Sequence, residues 1–113
     1  MATINQVQLV GPIQLGSSDA AIYTTPALTT AKIGRAIFSN TDTSPHTITI
    51  NITSGTSTTA NQFINARTLA PGETYVSPEL AGAVIPAGQS VRGLASTAAV
   101  INVTMSGITV TGQ

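Results

Sequence analysis

The chain has no cysteine, no tryptophan and one histidine, and its 113 residues include only four basic and four acidic side chains. Each shortage removes a class. Without cysteine there is no disulfide framework, and a lone histidine does not supply the usual zinc ligand sets. No acidic segment has calcium-loop spacing. Four cations balanced by four anions leave no basic patch of the kind that neutralises phosphates in general nucleic-acid binding. The longest apolar runs fall far short of the ~20 residues that span a bilayer. The segment Met1–Val10 carries no Lys or Arg and no apolar stretch of about 7–15 residues, so it does not read as a secretory signal. Synthesis and folding in a cytosol are the expectation.

What is present is Thr (19 copies), Ala (15) and Ile (12), and with Val the β-branched residues make about a third of the chain. About 110 residues is the size of one domain, with enough length to bury a single core. The dominant period is two, the signature of strands. In His46–Thr53 it is clean: Ile48, Ile50 and Ile52 on one face, Thr47, Thr49, Asn51 and Thr53 on the other. In Ala98–Ser106, Ile101, Val103 and Met105 alternate with Val100, Asn102 and Thr104, and Gly107 marks a bulge or turn. In Lys32–Ser39, simple alternation places Ile33, Arg35 and Ile37 together, opposite Ala36 and Phe38. Both faces of that strand are then partly apolar, as for a strand covered on both sides.

Shorter strands are expected at Gln6–Leu9, Ala20–Thr24, Glu73–Val76 and Ser90–Leu94, and Gln62–Leu69 reads either as strand or as containing a helical turn. Between them, Gly11-Pro12, Leu15–Ser18, Thr41–Pro45, Thr53–Thr59, Pro71-Gly72 and Pro86–Gly88 read as turns or loops. Pro71-Gly72 suits the centre of a type II turn, Pro fixing φ and Gly accepting a positive φ. Leu69–Tyr75 is echoed by Ile85–Val91, two similar turns each leading into a strand. No segment holds a sustained 3.6-residue apolar stripe. The fold expectation is all-β, an antiparallel β-sandwich or jelly roll of about seven to nine short strands with almost no helix. It fills residues 1–113 as one domain, with candidate arms at 1–5 and 109–113 that either add a strand to a neighbouring molecule or are edge strands of the same sheet.

Catalytic chemistry finds little support. His46 follows a Ser-Pro turn at a strand end, where exposure is expected, and serines are too common here to nominate a nucleophile. The acids are Asp19, Asp42, Glu73 and Glu79; Glu73 and Glu79 both lie near the Pro71-Gly72 turn and read as solvated turn residues or partners of Arg67 and Arg92. Gly107–Gly112 lacks the lysine of a phosphate loop. Of the four aromatic residues, Phe38 and Phe63 are expected in the core, which leaves Tyr23 and Tyr75 for any sugar platform. Asn51-Ile52-Thr53 and Asn102-Val103-Thr104 match the glycosylation pattern, as chance allows in a Thr-rich chain. No catalytic, cofactor or metal site is assigned, and the chain reads as a non-enzyme. The surface is the informative part: about 7% of residues are charged, against ~25% in an ordinary domain, and Thr, Ser, Asn and Gln take their place. Few charges leave sheet edges unguarded, and zero net charge favours association.

Val7–Leu9 with Gly11-Pro12, Tyr23–Pro26, Lys32–Asn40 followed by His46–Ile52, Leu69–Tyr75, Pro78–Leu80 and Pro86–Gly88 together resemble the small all-β virion proteins of tailed bacteriophages. Within these the pattern is most similar to jelly-roll capsid cement or decoration proteins. The resemblance covers nearly the whole chain but rests on turns and strands. It implies a non-enzymatic protein made in the host bacterial cytoplasm. Such a protein binds the capsid exterior, contacts the major capsid protein, assembles as a homotrimer or other homo-oligomer, and takes no nucleic acid or membrane partner. The other readings are a neck, tail or fibre-base protein, and a host-recognition or sugar-binding β-module.

Overall fold

The structure, a computed structural model, describes residues 3–112. Nine strands run in order: β1 (Thr3–Gln14), β2 (Ala20–Thr24), β3 (Thr29–Asn40), β4 (His46–Thr53), β5 (Gln62–Leu69), β6 (Thr74–Val76), β7 (Val84–Ile85), β8 (Ser90–Ala95) and β9 (Ile101–Thr111). One 3₁₀ turn, Thr59–Asn61, precedes β5. The helical turn expected within Gln62–Leu69 therefore lies just before it, and that segment itself is strand.

All pairings are antiparallel. One sheet has the order β1-β9-β3-β6, with β7 also on β3, and the other has the order β2-β8-β4-β5. The chain crosses between the two sheets at β1 to β2, β2 to β3, β3 to β4, β5 to β6, β7 to β8 and β8 to β9. This is the strand order of a jelly roll, so the expected sandwich is present. Ile48, Ile50 and Ile52 from β4 face Ile101, Val103 and Met105 from β9 across the core, with Phe38, Ile33, Leu69, Ile85 and Val91 around them. Each such side chain, moved out of water, contributes about 1.5–3 kcal/mol.

The turn chemistry follows the sequence. The Glu73 N–H donates to Ala70 C=O at 3.0 Å with Gly72 at φ 73°, and the Gln89 N–H donates to Pro86 C=O at 3.1 Å with Gly88 at φ 81°. Both turns put a glycine where a side chain would be strained, which is the physical content of the Leu69–Tyr75 and Ile85–Val91 echo. Asn40, fully buried at the end of β3, ties this region together. Its Nδ2 donates to Ser44 C=O at 2.9 Å and Leu69 C=O at 3.0 Å, and its Oδ1 accepts from the Asp42 N–H.

Three expectations are corrected. Gly11-Pro12 is not a turn: both residues lie inside β1, where the register against β9 shifts between Gln8 and Val10 and again between Val10 and Ile13. Proline lacks a ladder donor, and an irregular edge strand is where a sheet accommodates it. Ile33 does not share a face with Arg35. A register shift between them, at Gly34, reverses the alternation, so Ile33, Ala36 and Phe38 are all buried while Lys32 and Arg35 are both exposed. Phe63 is not core. It falls at a shift between the Asn51–Gln62 and Ile50–Ile64 pairings and stays 39% exposed, while Ile64 takes the inward place.

The termini pair with each other within the chain. Thr3, Ile4 and Asn5 lie opposite Thr111, Val110 and Thr109, which also pair with Thr29, Thr30 and Ala31 on the other side. The candidate-arm residues 1–2 and 113 lie outside the described residues.

Gly107 sits where β3 bulges against β9. A Cβ built there would lie 2.0 Å from the Lys32 carbonyl oxygen and 2.9 Å from the Gly34 nitrogen, both backbone atoms that cannot move aside cheaply. Gly107→Ala is expected to cost about 3 kcal/mol or more. Gly55→Ala, where nothing lies within 4 Å, is expected to stay within ~0.5 kcal/mol. Denaturant midpoints of the two variants check this; equal midpoints would contradict the crowding at the bulge.

Candidate functional site

Residues directly opposite in antiparallel strands share a face, so register lays out the outer surface of the β1-β9-β3-β6 sheet row by row. Ile4, Val110 and Thr30 form the first row; Gln6, Ile108, Lys32 and Val84 the second; Gln8, Ser106 and Arg35 the third; Thr104, Ile37 and Val76 the fourth. The first two rows carry four aliphatic side chains and the fourth carries two. Ile4 is 68% exposed, Val84 52% and Val76 45%, whereas isolated apolar surface residues are ordinarily scattered. Nothing in the chain covers this face among the described residues. The row between the aliphatic rows is polar and holds Arg35, with Lys32 one row away.

These two cations stand apart from the rest of the charge. Arg92 Nε donates to Asp19 Oδ2 at 2.8 Å, not to either glutamate, because the register brings Ala21 of β2 and Asn51 of β4 to either side of Arg92. The Arg67 guanidinium lies 3.9 Å over the Tyr75 ring, at the side of the sandwich. Glu79 accepts from the Tyr75 hydroxyl and from Ser77 Oγ, and Glu73 accepts from the Ala70 N–H at 2.7 Å. Burial, then the Glu79 carboxylate, pushes the Tyr75 phenol above its usual value, and the phenol's hydrogen bond holds Glu79 below the usual carboxylate range. Asp42 bonds His46. Among the described residues Lys32 and Arg35 have no carboxylate within ion-pair distance.

The outer surface of the β2-β8-β4-β5 sheet is different in kind. Thr49, Asn51 and Thr53 of β4 lie opposite Leu94, Arg92 and Ser90 of β8. The loop after β4 folds over them: Asn51 Nδ2 donates to Thr58 C=O at 2.8 Å and to Asn61 Oδ1 at 2.5 Å, and Ser57 Oγ donates to Asp19 at 2.9 Å. Asn51 is 2% exposed and so engaged, which removes it as a glycan acceptor. The hollow left there is lined by Asp19, Thr49, Gln62 and the hydroxyls of Thr56–Thr59. Tyr23 and Tyr75 do not meet in a platform; they lie on different sheets, with Tyr75 buried against Phe38 at a centroid distance of 6.4 Å.

His46 is not exposed as its position at a strand end suggested: its side chain is 11% accessible. Nε2 lies 2.7 Å from Asp42 Oδ2 and Nδ1 lies 3.2 Å from Ser96 Oγ. The trio has the members of a hydrolytic triad. However, Ser96 Oγ also accepts the Thr47 N–H at 3.1 Å. The geometry fits a clasp that joins the β3–β4 loop to the strand end of β8. Among the described residues no three His, Asp or Glu side chains are placed to hold a metal ion, and no helix is long and apolar enough to cross a membrane.

The clasp has a pH signature. Its hydrogen bond from His46, and then the Thr43 N–H, holds the Asp42 carboxyl below its ordinary value of 3.8. A carboxyl with a depressed folded pKa stabilises the fold above its unfolded value and loses that contribution as pH falls through the folded one. The unfolding midpoint is expected to drop on acidification below about pH 4, and to drop less in Asp42→Asn. Identical acid limbs for the two proteins would contradict the clasp.

No protein-family model and no curated protein matches the sequence. Among solved structures, a chain from the structure of infectious bursal disease virus, Gt strain, superimposes with a TM-score of 0.50 over 96% of the present chain at 11% identity. The present chain spans 32% of that chain's length. The likeness is one of fold: this β-sandwich has a counterpart in a viral chain.

Proposed function

We propose that the chain is a non-enzymatic structural component of a virus particle, held there by protein–protein contact. The observation that carries this reading is the uncovered outer face of the β1-β9-β3-β6 sheet. Six aliphatic residues lie there beside hydroxyl and amide groups, in a protein whose charge count is a fraction of the ordinary. Buried on a partner, Thr and Ser can hydrogen-bond without the desolvation cost of ions. A fold shared with a viral chain supports the virion setting, although jelly rolls also serve lectins and enzymes, so the surface carries the argument.

In its finer form the proposal is a cement protein of a tailed-bacteriophage capsid. The chain binds the exterior of the shell as a homotrimer or similar oligomer, and its many weak contacts, multiplied by symmetry, clamp the major capsid protein against internal DNA pressure. Quantitative mass spectrometry of purified particles tests both levels. A copy ratio to the major capsid protein near one, or a simple fraction of it, is expected. A ratio of a few per cent would move the chain to the neck, tail or fibre base, and absence would end the virion reading. Particles lacking the chain are expected to release DNA at a lower temperature than complete ones; equal release temperatures would refute the clamp.

A further inference from the structure

Lys32 and Arg35 are three residues apart, and in a regular strand they would point to opposite sides. The bulge at Gly34 turns both outward. Gly34, between them in the chain, helps line a shallow depression with Gln6, Gln8, Ser106, Gly107 and Ile108, whose floor is low because two of its residues are glycines. Ser106 is the cross-strand partner of Arg35, and Ile108 that of Lys32. The depression thus offers amide and hydroxyl groups, and Lys32 and Arg35 stand next to it on β3, opposite two of its lining residues. The aliphatic row of Thr104, Ile37 and Val76 lies beyond it on one side, and Ile4, Val110 and Val84 lie on the other.

We infer that this face docks on a different protein whose surface carries carboxylate side chains set between apolar ones, with a carboxylate seated in the Gly34–Gly107 depression between Lys32 and Arg35. The inference rests on the virion reading and adds the chemistry of the partner. Charge decides the occupant. A second copy pairing through the same face would bring two Lys32 and two Arg35 side chains together with no acid among them. All four acids of the chain lie off the outward positions of this sheet, and each is already engaged within the chain. Nucleic acid is a poor fit, because two cations set among aliphatic side chains neither track a phosphate backbone nor stack bases. A carboxylate satisfies both cations, and a guanidinium takes one in two-pronged fashion. The flanking aliphatic rows then exclude water around the pair, which is the arrangement of an interface centre.

The sequence offers a single-site probe, since Lys32 is the only lysine. Amine acetylation of intact particles, followed by peptide mass spectrometry, reads Lys32 directly. Free chain is expected to acetylate at Lys32 readily and particle-bound chain at least tenfold more slowly. Carbodiimide, which condenses an amine and a carboxylate in contact into an amide with loss of water, is expected to join Lys32 to an Asp or Glu of another virion protein. The double variant Lys32→Glu, Arg35→Glu, checked as folded by its unfolding midpoint, is expected to load onto particles about tenfold less or worse.

Several results would overturn the inference. Chain present in particles with Lys32 acetylated as fast as in free chain would sink the docking face and leave the virion reading standing. A cross-link from Lys32 to an acid of a second copy would replace the foreign partner with self-assembly. Protection abolished by nuclease would assign the face to nucleic acid. Chain absent from particles would end both readings.

Discussion

The β3–β9 pairing, with its single irregularity at Gly34, is the constraint on which the rest depends. β9 and β3 are the interior strands of their sheet, each paired on both sides. Opposite Gly107 the β3 backbone comes so close that no side chain fits, and one residue of β3 is left out of the ladder. That extra residue resets the phase of β3. Before it, Ala31 and Ile33 point inward; after it, Ala36 and Phe38 do. Without the reset, Ile33 and Phe38 could not both be buried by one strand. The same reset turns Lys32 and Arg35 to one side, so core and surface chemistry follow from one backbone event.

The two outer faces show how little charge the design uses and where it goes. On one sheet the polar residues consume each other: the loop after β4 closes over Asn51, and Asp19 joins Arg92 and Ser57. At the sandwich side, Arg67, Tyr75 and Glu79 form a chain of contacts, and burial, then the Glu79 carboxylate, raises the Tyr75 pKa while the Arg67 charge opposes the rise. Asp42, His46 and Ser96 clasp a loop to a strand end. What remains unspent is the face of the other sheet, aliphatic and cationic. A β-surface with these features would invite edge-to-edge or face-to-face association if left in water, and a permanent partner removes that hazard.

Much of this was legible in the residues, for definite reasons. Period-two alternation located Ile48, Ile50 and Ile52 and the Ile101–Met105 stripe, because a side chain's face in a regular strand depends only on parity. Glycine at the second centre of Pro71-Gly72 announced a positive φ that few other residues adopt. Where an expectation failed, a register shift lay at the place: the parity reading of Ile33 beside Gly34, the core placement of Phe63 at the β4–β5 shift, and the turn read at Gly11-Pro12, which lies inside β1. A bulge costs little and carries a weak local signal, so it is decided by what the neighbouring strands need. His46 looked exposed because a strand end usually is, and only a loop returning with Asp42 buried it.

By itself the sequence determined an all-β sandwich, its main strands and turns, and a surface nearly free of charge, because composition, parity and turn chemistry are local properties. The tertiary structure alone decided which sheet each strand joined, that the clasp residues Asp42, His46 and Ser96 meet, and that Lys32 and Arg35 emerge together on an uncovered aliphatic face. These depend on register between segments far apart in the chain, and register is fixed by the fit of whole sheets to a shared core.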